Sequence, residues 1–186
     1  MAEGNELGPL AWMVGTWEGE GGTDVAFSHE RAAVLDTPYR ERSSFSSFGP
    51  VDNGDQHLYG LDYRSAMWKD DEENPFHTEI GYWLWDAATS QVMKSFMIPR
   101  GVTLIAGGTA TADASSFTMR AEPGHEQYGI VQNSYLLRAA KTLSYEVTVT
   151  HGPDDSLTYE QTTMLAMKEF DEPFAHTDRN TLHRVA

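Results

Sequence analysis

Arg40, Arg42, Arg100 and Arg179 are the side chains whose chemistry most readily meets a carboxylate, because a planar guanidinium offers paired donors at the spacing of two carboxyl oxygens. Each taken singly is more simply an ion pair with one of the 28 acids, and Asp178 stands beside Arg179 for that purpose. Seven histidines in 186 residues is an ordinary number. Other chemistry finds no foothold. Cysteine is absent, which removes thiolate nucleophiles, thiolate metal sites and disulfides. No His-Glu-x-x-His, G-x-S-x-G or calcium-loop pattern occurs, and the glycines between Gly15 and Gly22 surround a tryptophan with no helix behind them to receive a phosphate. Asp70 and Asp71 sit in a solvated charged run where nothing shifts a carboxyl pKa, so they are poor acid–base candidates.

The elements that would position any site are strands. His77 to Trp85 is rich in β-branched and aromatic residues, with His77, Glu79, Trp83 and Trp85 on one face and Thr78, Ile80, Tyr82 and Leu84 on the other. A connection through Asp86–Ser90 leads to a second strand, Val92–Ile98, and Pro99-Arg100-Gly101 then breaks the ladder. Bulk on both faces of one strand suits the wall of a covered barrel. Before it come strands at Gly15–Gly21, Ala26–Glu30, Tyr39–Phe48 and Leu58–Arg64; Gly49 to Asp55 reads as a turn, and Gly8–Met13 as one helical turn. Glycines around Trp17 mark a bend at a barrel corner, with Trp17 as a packing plug. After it, strands are expected at Thr109–Asp113, Phe117–Ala121, Ile130–Ala139, Leu143–Thr150, Leu157–Met167 and Phe174–Val185. The sum is an all-β chain: a single antiparallel up-and-down β-barrel of about ten strands, with a flexible N-terminus over 1–9 and one barrel domain over 10–186.

Thirteen basic and 28 acidic residues give 13 − 28 = −15, a field that repels phosphate backbones and anionic lipid, so neither nucleic acid nor a membrane surface is the expected partner. The N-terminus shows no basic region followed by an apolar core, and no apolar run approaches the roughly 20 residues that span a bilayer, which points to the cytoplasm.

Three stretches in order, Gly15-Thr16-Trp17-Glu18-Gly19-Glu20-Gly21, His77-Thr78-Glu79-Ile80-Gly81-Tyr82 and Ile98-Pro99-Arg100-Gly101-Val102 followed by Gly107-Gly108, resemble the nitrobindin family over nearly the whole chain. The resemblance implies a ten-stranded, fatty-acid-binding-protein-like (calycin, lipocalin-like) barrel, heme b in an apolar mouth, iron held by one histidine near the C-terminus, peroxynitrite isomerase activity or reaction with nitric oxide, and a homodimer. By that resemblance His77 is the distal histidine, Ile98 and Met167 are pocket residues, and His176 is the iron ligand. In the family the ligand histidine stands at an odd spacing from a Leu and an Arg of the last strand, whereas His176 stands at an even spacing from Leu182 and Arg184. Two alternatives stay open: Thr177 takes the ligand position on an uninterrupted strand, or a bulge near Thr177-Asp178 restores His176. The rival function is a heme-free carrier of an elongated hydrophobic molecule bearing an acid group.

Overall fold

A computed structural model describes residues 6–186. Residues 1–5 of the stretch expected to be flexible lie outside the described residues; from Leu7 onward the chain is packed, with Leu7, Leu10 and Met13 buried around a 3-10 helix, Gly8–Met13. The strands are β1 (Gly15–Ser28), β2 (Ala33–Asn53), β3 (Gln56–Trp68), β4 (His77–Asp86), β5 (Gln91–Ile98), β6 (Val102–Thr109), β7 (Ser116–Ala121), β8 (Ile130–Gln132), β9 (Ala140–His151), β10 (Ser156–Met167) and β11 (Phe174–Arg184), with a short helix α1 (Leu136–Ala139) ahead of β9. Neighbouring strands pair antiparallel. β1 pairs with β11, and β5 with β6, so ten strands close into a ring, with β8 as an extra strand on β6. Closure leaves the ring no free edge.

Alternation sorts the side chains. Odd positions of β2 and β4, and even positions of β5 and β6, point inward, which buries Tyr39, Phe45, Trp83, Trp85, Val92, Phe96, Leu104 and Ala106. Two bulges reverse that phase where it matters. In β1 the register slips by one residue between Gly19 and Gly22 against β2 and between Glu18 and Thr23 against β11, so Trp17 and Gly19 face inward before the slip and Gly22 and Asp24 after it. In β9 the slip falls opposite Met164/Leu165, so Ala140 and Thr142 share the inner face with Tyr145, Val147 and Val149 although the spacing is odd.

Four segments differ from the sequence expectation. The strands expected at Gly15–Gly21 and Ala26–Glu30 are one strand, β1, which ends at Ser28. β2 runs through Gly49 and Pro50 to Asn53, because a register slip between Phe48 and Val51 absorbs the turn-forming pair and moves the hairpin turn to Asn53-Gly54-Asp55. Thr109 closes β6, and residues 111–113 turn instead of forming a strand. The expected strand over Ile130–Ala139 is only β8 followed by α1: Asn133 accepts a bond from the Leu136 N–H at 3.0 Å and starts a helical turn.

One end of the barrel is shut. The 3-10 helix lies across it, Trp17 Nε1 donates to the Met13 carbonyl at 2.8 Å, and Arg184 ties the last strand to it by donating to the Trp12 carbonyl at 2.7 Å while lying 4.2 Å over the Trp17 ring. The other end is open.

Candidate functional site

The open end is a pocket built from the mouth ends of six ring strands and the β8–α1 segment. Its cavity volume is about 150 Å³, and the empty space with open solvent counted is about 740 Å³. That volume lies below the roughly 300–1,000 Å³ of ordinary ligand sites, so a drug-sized guest would fill it and protrude into the mouth. Phe96, Ile98, Val102, Leu104, Leu136 and Leu165 make the walls apolar; His77 and His176 stand among them.

Neither of the two alternatives for the last strand holds: β11 is uninterrupted against β10 from Phe174 to His183, with no bulge at Thr177-Asp178, and yet His176 reaches the pocket, because it shares the inner face with the buried Asp178, Asn180 and Leu182. Thr177 faces the other way, into an outer groove with Thr23, Val25 and Asp36. Met167 is buried on β10 opposite Ala140, in phase with Leu165 but not bordering the pocket. Ile98 and Arg100 border it on either side of Pro99, and the Arg100 guanidinium makes no hydrogen bond or ion pair among the described residues. Gly101 (φ +92°) sits where an added Cβ would meet Asn133 Nδ2 at 2.3 Å, and Asn133 Nδ2 donates to the Arg100 carbonyl at 2.9 Å, so one asparagine sets both the Arg100 turn and the start of α1.

The two histidines are held by carboxylates. His176 Nε2 bonds Asp24 Oδ1 at 2.5 Å, with the histidine side chain 35% and the aspartate 14% exposed. His77 Nε2 lies 3.2 Å from Glu79 Oε1. Burial alone would lower the His77 pKa, but the bonded Glu79 carboxylate raises it above the ordinary value.

Beneath the pocket the lumen holds buried charges among apolar side chains. Glu79 accepts from Tyr63 at 2.8 Å and from Lys94 Nζ at 2.9 Å, and Lys94 is boxed by aromatic rings, with the Phe96 centroid 4.1 Å away. Burial would raise the Glu79 carboxyl, yet the Lys94 ammonium and His77 outweigh it and hold the group well below the usual carboxylate range. Lys94 also donates to Tyr145, whose hydroxyl donates to Gln161 at 2.7 Å; both Tyr145 and Gln161 border the pocket. A second buried carboxylate, Glu41, has no cation bonded to it among the described residues and is satisfied by Ser43, Ser65, Tyr159 and Asn180. Tyr39 links Tyr159 to Asp178, whose pKa burial pushes up to about 7, reinforced by the charges of Glu41, Asp24 and Glu79.

Sequence reasoning passed over Asp24, Glu41 and Lys94. Glu41 and Lys94 were legible: Glu41 is in phase with Tyr39 and Phe45, and Lys94 with Val92 and Phe96, and a charge on an apolar face marks a buried pair. Asp24 carried no such signal, because only the β1 bulge turns it inward.

The THAP4-like, heme-binding beta-barrel domain model matches residues 6–184. Among curated proteins, a peroxynitrite isomerase of Clavibacter michiganensis subsp. michiganensis is 39% identical over 80 residues, 42% of this chain and 35% of that protein. Another, of Renibacterium salmoninarum, is 36% identical over 87 residues, 44% of this chain and 34% of that protein. These matches span about a third of the relatives' length. The crystal structure of Rv2717c from M. tuberculosis superposes with a TM-score of 0.68 at 17% identity, covering 100% of this chain and 99% of that one, a likeness of fold.

Proposed function

The chain belongs to the THAP4-like heme-binding β-barrel domain family, and from that premise we propose that its pocket holds heme b with His176 on the iron and acts on peroxynitrite or nitric oxide. The observation that carries this reading is an imidazole fixed by a carboxylate at the wall of an apolar, open-mouthed pocket. One ring nitrogen on Asp24 leaves the other for a metal.

Bound heme would supply a Lewis-acidic iron at which peroxynitrite rearranges to nitrate. The chain's own groups do the rest. Phe96, Ile98, Leu104 and Leu136 exclude water from the macrocycle faces. Arg100, at the mouth with its guanidinium unbonded among the described residues, presents that fork to a propionate. His77, whose proton affinity the Glu79 carboxylate raises, stands where its charged form would offer a donor to an anionic oxygen inside the pocket.

The carrier reading meets the polar floor. Below Tyr145 and Gln161 the lumen narrows to a cavity of about 30 Å³ into which Glu41, Glu79 and Lys94 project, an environment that does not suit an acyl chain. A homodimer and a cytoplasmic setting are part of the proposal. Ile80, Tyr82, Met97, Ile105 and Val131, exposed on the outer face of neighbouring strands, support the dimer, which light scattering tests.

The deciding experiment adds hemin to the purified chain. A ferric heme band near roughly 400 nm is expected for the parent and is lost in His176→Ala. A flat titration of the parent, or an unchanged band in His176→Ala, overturns the reading. Arg100→Ala keeps the band and weakens hemin several-fold, about 1 to 1.5 kcal/mol, as for one charge-assisted contact at a wet rim.

A further inference from the structure

We propose that Asp24 is the positioning residue of the pocket: its carboxylate fixes the His176 ring and makes it a stronger electron donor toward iron, which favours the ferric state. The inference rests on the heme reading above and adds to it a residue on a different strand.

The backbone is the first argument. Asp24 pairs with Asp178 across β1 and β11, so His176 is its diagonal neighbour on the inner face. On an unbroken β1 the inward phase of Trp17 and Gly19 would continue to Thr23 and Val25, leaving Asp24 outside. The one-residue slip between Gly19 and Gly22 reverses this: Thr23 and Val25 line the outer groove, and Asp24 turns in. Gly22 permits it, since a Cβ there would lie 2.3 Å from the Tyr39 ring.

The second argument is the company Asp24 keeps. No Lys or Arg is bonded to it among the described residues; its partner is His176 Nε2, at 2.5 Å. A carboxylate that is 14% exposed, beside the equally inward Asp178, is a costly placement for stability alone. It is well suited to an imidazole that borders the pocket and whose other nitrogen has no hydrogen-bond partner among the described residues. A carboxylate on one nitrogen fixes the tautomer and raises the basicity of the other, and loss of such a partner typically weakens metal binding about 10- to 100-fold.

The test compares the parent, Asp24→Asn and Asp24→Ala by hemin titration and by the ferric/ferrous midpoint potential, with apo-protein melting as the check on folding. Asp24→Ala is expected to bind hemin about 10- to 100-fold more weakly and to shift the midpoint to more positive potential. Asp24→Asn, isosteric and able to accept one bond without the charge, should fall between the two. If both variants match the parent in affinity and potential while His176→Ala has lost the band, the proposal for Asp24 is overturned and the heme reading stands. If the parent shows no band that depends on His176, both fall together.

Discussion

At the scale of single residues the lumen is a set of charges that tolerate burial only because each has its partner. Lys94 and Glu79, 5% and 3% exposed, are the clearest case. Removing the cation alone, in Lys94→Met, leaves the buried Glu79 without its ammonium partner and should cost about 3–5 kcal/mol in denaturant unfolding, whereas Lys94→Met with Glu79→Gln should recover most of that. The same pair fixes a pH dependence. The folded-state pKa of Glu79 lies below its unfolded value near roughly 4.3, so its contribution is complete above that pH and is lost as the pH falls toward the folded value. Unfolding midpoints measured from neutral pH into acid should therefore fall more steeply for the parent than for the double variant. Much of this was readable beforehand: His77, Glu79, Trp83 and Trp85 were assigned to one face by simple alternation, and all four turn inward. What alternation could not supply was the depth along the strand at which pocket gives way to polar floor.

At the scale of elements, the informative features are the irregular ones. The β1 bulge needs glycine at one position and not at the next. A Cβ on Gly22 would lie 2.3 Å from the Tyr39 ring, so Gly22→Ala should destabilise by about 1–3 kcal/mol, while Gly21, with nothing within 4 Å of its added Cβ, should accept alanine within about 0.5 kcal/mol. Chemical denaturation of the two variants checks this. The glycine-rich run signalled a bend from sequence alone; that the bend reverses the phase and brings in Asp24 required the register against two neighbours. The β8–α1 segment hid for a different reason. Leu136–Ala139 is far shorter than a helix that could form by itself, and its apolar residues read equally well as a strand. Tertiary contact decided it, through Asn133 at its start and Leu136 in the pocket wall.

At the scale of the whole molecule, one guest bound to the folded state alone must stabilise it by mass action. Hemin at a hundred times its dissociation constant should add about 2.7 kcal/mol, read as a rise of several degrees in melting temperature that is absent in His176→Ala. The ring closure that gives the pocket its wall was legible from strand count and turn spacing, because a ten-strand antiparallel chain has few other ways to protect its edges. The shut end has a practical consequence. His176 and Arg184 lie on one uninterrupted strand, so at roughly 3.3 Å per residue the pocket wall stands about 26 Å from the clasp where Arg184 grips the Trp12 carbonyl. The first and last described segments meet at that clasp. A tag, a fused partner or a solid support joined through either of them would hang from the base of the cup, leaving its rim facing solution.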